Sequence, residues 1–161
     1  MPRSRGVLLG LGVPVLAFLA IQLVPYGRNH APPPAGLRVD WDSPRTEELA
    51  RRSCFDCHSN ETRWPWYASV APISWRIQTD VNLARAKLDF TAFDSADAKV
   101  AEAAGEAAET VTRGDMPPQD YILMHPGARL AGADKEALAA GLRATFAAFA
   151  GRGAPRGRPY P

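Results

Sequence analysis

The sequence predicts an all-α protein, and three observations carry the prediction. Alanine and proline are abundant while β-branched residues are sparse beyond the N-terminal stretch, which favours short helices joined by proline-bearing loops. Apolar residues recur at intervals of three and four in the longer segments. No segment alternates apolar and polar residues over the length of a strand. At 161 residues and a net charge of +2, the chain is sized for one domain with an appendage. Its charges are interspersed, with no basic blocks carrying interleaved aromatics, so no nucleic-acid partner is expected.

The first element is an apolar run over residues 7–24, preceded by Arg3 and Arg5 and interrupted only by Pro14 and Gln22. At helical rise it extends about 27 Å, near the hydrocarbon thickness of a bilayer. Residues 1–25 therefore read as an N-terminal transmembrane anchor. A cleaved signal peptide is the competing reading, weakened because Ala17 and Ala20 lack small-x-small cleavage spacing. Residues 26–42 follow as a linker stiffened by Pro32, Pro33 and Pro34.

The domain assigned to residues 43–150 opens with Ser43 as N-cap and Pro44 in the first helical position, where a missing N–H costs nothing. Glu47 and Arg51 stand four apart in the favourable order. Past residue 58, polar turn formers and Trp64-Pro65-Trp66-Tyr67 read as an aromatic loop, since Pro65 keeps Trp64 out of helical geometry. A helix over residues 74–88 presents Ile73, Ile77, Val81, Ala84 and Leu88 on one face, with Phe90 and Phe93 turning inward after it. Another starts at Ser95, carries Val100, Ala104, Ala107 and Val111, and stops at Gly114. Residues 115–130 read as loop. A last helix over residues 134–150 carries Leu138, Leu142, Phe146 and Phe149. Residues 151–161, rich in Gly, Pro and Arg, are expected to be a disordered tail.

The chemistry sits in Cys54-Phe55-Asp56-Cys57-His58, which holds the only two cysteines of the chain. Two thiols three apart with an imidazole directly after the second is the spacing that attaches a c-type haem. One helical turn brings both sulfurs to the same edge of a porphyrin, and His58 falls beneath the iron as proximal ligand. A disulfide, a thioredoxin-like redox pair and a partial zinc site are the alternatives. The redox pair does not require the histidine, and zinc needs a fourth ligand.

For the distal position Met116 is the first candidate: a thioether between Asp115 and two prolines, just after a helix stop. His125, Met124 and, beside the anchor, His30 compete with it, as does an open site. Trp64, Trp66, Tyr67 and Trp75 read first as core packing over the apolar porphyrin faces. In the alternative, an indole N–H or the Tyr67 hydroxyl donates to a haem propionate, with Arg63 or Arg76 neutralising its charge. Tyr121 and Arg129 carry the same ambiguity.

With these residues in view, the chain resembles the c-type haem-binding domain family of small bacterial membrane-anchored proteins. The resemblance is carried by Cys54-Phe55-Asp56-Cys57-His58-Ser59-Asn60, Trp64-Pro65-Trp66-Tyr67, Ala71-Pro72-Ile73-Ser74-Trp75, Gly114-Asp115-Met116-Pro117-Pro118 and Leu123-Met124-His125-Pro126-Gly127-Ala128-Arg129-Leu130. It covers about residues 22–148. It implies one covalent haem c, a cytochrome c-like helical fold, His58 as one ligand and Met116 as the other. Ala131-Gly132 departs from the Ser or Thr cap that the family places before its last helix.

The function expected is a monohaem c-type cytochrome: an electron carrier, not a catalyst, that exchanges one electron with redox partners in the membrane or periplasm. A haem-based peroxidase or small-ligand sensor with an open distal site is the second reading. Haem attachment to this motif by the maturation machinery takes place outside the cytoplasmic membrane, and Arg3 and Arg5 favour a cytoplasmic N-terminus. Both place the haem domain in the periplasm, held by a single pass through the inner membrane.

Overall fold

The structure is a computed structural model that describes residues 3–31, 39–92 and 98–150. Every regular element among these residues is helical, as the composition predicts. The helices are α1 Arg3–Ile21, α2 Pro44–Ser53, α3 Phe55–His58, α4 Ile73–Lys87, α5 Ala98–Arg113, α6 Gln119–Met124 and α7 Gly132–Ala150, with 3-10 turns at Trp66–Ser69 and Pro126–Ala128. The expected proline spacer at 32–34, Phe93, the Ser95 cap and the 151–161 tail lie outside the described residues.

The chain forms two compact units, Met1–Ala31 with Trp64–Asp80, and Pro32–Arg63 with Val81–Pro161. In the first, α1 continues through Pro14. Val13, Val15, Leu16, Phe18 and Leu19 on it are exposed. Among the described residues no helix is long and apolar enough to cross a membrane. Gln22 after α1 reads both backbone groups of Ala71: its amide donates to the Ala71 carbonyl at 2.9 Å and accepts from the Ala71 N–H at 3.0 Å. The side chain of one residue thus acts as a strand partner would, satisfying both backbone groups of Ala71.

In the second unit the core is built from α2, α5, α7 and the chain around them. Leu138, Ala139, Leu142 and Phe146 of α7 are buried against Leu49 and Ala50 of α2 and Ala108 and Val111 of α5. The apolar stripe read for α7 is therefore the core face, while the side chain of Phe149 lies outside the described residues. Val39 is buried and Trp41 packs on the same core, so the chain assigned to the linker joins the domain from residue 39. α2 begins as expected. Ser43 accepts from the Thr46 N–H at 3.2 Å with Pro44 at the helix start, and Arg51 pairs with Glu47 at 2.8 Å.

Three readings need correction. The segment read as loop after residue 115 contains α6 and a 3-10 turn, since six helical residues are too short to show a period. Val81 on α4 and Leu88 just after it are buried, but Ile73, at the helix start, is exposed. Trp66, expected in the core, is 81% exposed, its ring edge-on to Tyr67 with centroids 5.8 Å apart. Ring content alone does not bury a residue that the 3-10 turn directs outward.

Candidate functional site

The two thiols and the imidazole stand on one helical turn. Cys54 closes α2 by donating its N–H to the Ala50 carbonyl at 2.8 Å, and its own carbonyl accepts from the N–H groups of Cys57 at 3.1 Å and His58 at 2.9 Å. Positions i, i+3 and i+4 share one side of a turn, so Cys54, Cys57 and His58 are presented together. Neither cysteine is in a disulfide. Burial pushes the Cys54 thiol up to about 12, with Cys57 adding to the rise, so it stays protonated at neutral pH.

His58 is oriented from behind. Its Nδ1 donates to the Leu88 carbonyl at 2.9 Å, which fixes the tautomer and leaves the Nε2 lone pair for a metal. Burial pulls its pKa down although the Leu88 bond opposes this, so the ring is neutral, the form that ligates. The chain after α4 clasps the same place. The Phe90 N–H donates to the His58 carbonyl at 2.8 Å, the Thr91 hydroxyl accepts from the Asn60 N–H at 2.7 Å, and Asp89 in turn holds Thr91 through its N–H and hydroxyl at 2.8 and 2.7 Å. The Arg85 guanidinium donates to the Ser59 carbonyl at 2.9 Å.

The two residues between the cysteines face away from this side. Phe55 is buried, stacked on Phe90 with ring centroids 5.6 Å apart and near Trp41 at 6.3 Å. Asp56 is buried too. One of its oxygens accepts from both the backbone N–H and the Nε of Arg63 at 3.2 Å, and the other from the Tyr121 hydroxyl at 2.7 Å. Burial, then the bond to Asp56, raises the pKa of the Tyr121 phenol. Arg63 and Tyr121 thus meet at one carboxylate, which the sequence presents only as a spacer between the cysteines.

The segment with the distal candidates begins at a glycine stop. Gly114 has φ +83°, a left-handed conformation that ends α5. The N–H groups of Gly114, Asp115 and Met116 turn back to the Thr110 carbonyl at 3.1, 3.0 and 3.4 Å. The Met116 side chain is 36% exposed and Met124 is more so. His125 stacks on Tyr121 with centroids 4.3 Å apart, and its Nδ1 donates to the Tyr121 carbonyl at 3.2 Å. His30 and the expected aromatics Trp64, Trp66 and Tyr67 belong to the first unit, where His30 stacks on Trp64 at 4.2 Å and its Nε2 donates to the Gly27 carbonyl at 3.1 Å.

A porphyrin fits this donor set. It asks for two unbridged thiols one turn apart and one neutral imidazole with an unprotonated Nε2, and these residues supply all three. A zinc ion asks for more: among the described residues no three His, Cys, Asp or Glu side chains converge to cage a metal. Fold and site together define a small helical haem-binding protein. The chain belongs to the haem-binding domain family, whose model matches residues 16–144 and so takes in the thiol turn, Met116 and most of α7. No curated protein and no solved structure matches the chain.

Proposed function

We propose that the protein is a monohaem c-type cytochrome that carries single electrons at the periplasmic face of the inner membrane. The observation that carries this reading is the turn holding Cys54, Cys57 and His58, with the Nδ1 of His58 donating to Leu88. Cys54 and Cys57 would hold the haem through two thioethers, His58 would ligate its iron, and Met116 would supply the second axial ligand. Bound there, the haem supplies a reversible ferric–ferrous couple. The chain's own contribution is rigidity. The Leu88 carbonyl keeps His58 in one orientation, the 88–91 segment clasps the backbone behind it, and Phe55 seats the turn in the core. A ligand held in one place lowers the reorganisation that accompanies each electron. The exposed apolar side chains of α1 support a membrane anchor.

The test is the full chain made with haem-maturation machinery. Its mass should equal polypeptide plus one haem, its pyridine haemochrome should be of the two-thioether type, and ferric protein should show the weak far-red band of iron–methionine coordination, lost in Met116→Ala. Cys54→Ser or Cys57→Ser should shift the haemochrome band. Colourless protein at the mass of its amino acids alone overturns the reading.

A further inference from the structure

Met116 lies between two fixed points. On its N-terminal side, the Gly114 turn binds the backbone to Thr110 at the end of α5, a helix packed on α7 in the core. On its C-terminal side, α6 carries Tyr121, whose hydroxyl reaches Asp56 inside the thiol turn at 2.7 Å. That contact ties residues 65 apart in sequence. Asp56 is only 8% exposed, and the other oxygen of its carboxylate is already held by Arg63. A hydrogen bond to a charged acceptor shielded from water is among the stronger ones a protein makes. The Tyr121 ring is also braced by His125 stacked on it.

We propose that the bond between Tyr121 and Asp56 is a strut that holds the segment bearing the distal ligand Met116 against the haem-attachment turn, making Asp56 and Tyr121 positioning residues for the iron's sixth ligand. The inference rests on the proposed function through Met116. The residue between the two attachment cysteines thus connects the two ends of the axial ligation: His58 follows it in the same turn, and Met116 is held by the segment that it anchors. Loss of the strut frees the C-terminal anchor of that segment while leaving the thiols, His58 and the Leu88 bond intact. Met116 then competes less well with an added ligand.

The experiment titrates matured, ferric full-length protein with imidazole and records the far-red iron–methionine band in wild type, Tyr121→Phe, Asp56→Ala, Asp56→Asn and Met116→Ala. Tyr121→Phe and Asp56→Ala should bind imidazole about tenfold more tightly than wild type, with a weakened far-red band and unchanged haem content. Asp56→Asn, whose amide oxygen still accepts from Tyr121, should stay within about threefold of wild type. Leu138→Ala, which opens a cavity in the core, should lower the melting temperature without changing imidazole affinity, so a general loss of stability does not imitate the effect. Wild-type affinity and band in Tyr121→Phe, alongside raised affinity in Met116→Ala, would overturn the strut and leave Met116 ligation standing. Wild-type behaviour in Met116→Ala would overturn the ligation itself, and the strut with it.

Discussion

The same substitution at two helical glycines should change stability in opposite directions. Gly105 in α5 is exposed, and a Cβ there would meet no atom within 4 Å. Gly141 in α7 faces α2: a Cβ there would lie 2.7 Å from Thr46 Cγ2 and 2.8 Å from Thr46 Cβ, with the hydroxyl oxygen nearer still. Helix propensity alone favours alanine at both sites by about 1 kcal/mol. At Gly141 it is opposed. Carbon atoms pack at about 3.5–4 Å, so α2 and α7 would have to separate by about 1 Å, and overpacking of this kind costs about 1–3 kcal/mol or more. Thr46 has little room to yield, being buried with its hydroxyl bonded to Ser43 at 2.9 Å. Loss of that bond adds about 1 kcal/mol. Gly141→Ala should therefore destabilise by about 1–3 kcal/mol and lower the melting temperature by roughly 3–10 °C, while Gly105→Ala raises it by about 2–4 °C. Thermal unfolding of the matured full chain by circular dichroism reads both. Thr46→Ala in the Gly141→Ala background should recover part of the loss, because it removes two of the three crowding atoms. A Gly141→Ala protein as stable as wild type would refute the close approach of α7 to α2.

Phe55→Ala should cost about 3–5 kcal/mol by urea denaturation and reduce haem incorporation, because it unseats the thiol turn from Phe90 and the core. Ser43→Ala should cost about 1 kcal/mol in the same assay by removing the cap of α2. Asp134 accepts from Arg52 at 2.9 Å and Arg45 at 2.6 Å, and the Arg52 bond, then the Arg45 bond, holds its carboxyl below the usual carboxylate range. A carboxyl lowered in the folded state stabilises it above the unfolded value of about 4 and ceases to do so as pH falls through the folded value. The gap in urea midpoint between wild type and Asp134→Asn should thus be widest at neutral pH and close in strong acid.

The parts of the site that could be read from sequence are those fixed by local spacing. The two thiols and His58 fall on one turn because a helix repeats every 3.6 residues, and nothing distant decides it. The Ser43 cap and the Gly114 stop are local too, and the structure has both. What could not be read lies in partners without a side-chain signature or far away in the chain. The acceptor for His58 is a backbone carbonyl 30 residues on, which any residue at position 88 would supply. Asp56 looks like a variable spacer until α6 brings Tyr121 to it, and α6 has too few residues to announce itself. Trp66 misleads because aromatic content does not by itself decide burial, whereas Phe55 and Phe90 form the stacked pair behind the turn.

The five residues of the thiol turn divide by helical geometry into two jobs. Cys54, Cys57 and His58 share the side that would receive the haem, and the same periodicity leaves Phe55 and Asp56 no choice but to face the protein. A spacer there is never idle. An apolar ring at the first position finds the core formed by Trp41 and Phe90, and a carboxylate at the second finds Arg63 and Tyr121. Exchanging the two would preserve the Cys-x-x-Cys-His spacing and yet bury a carboxylate among aromatic rings, away from Arg63 and Tyr121, at a cost of several kcal/mol. On the proposed reading the spacing specifies where the haem would be fastened, and the residues inside it specify how firmly that turn is joined to the rest of the domain.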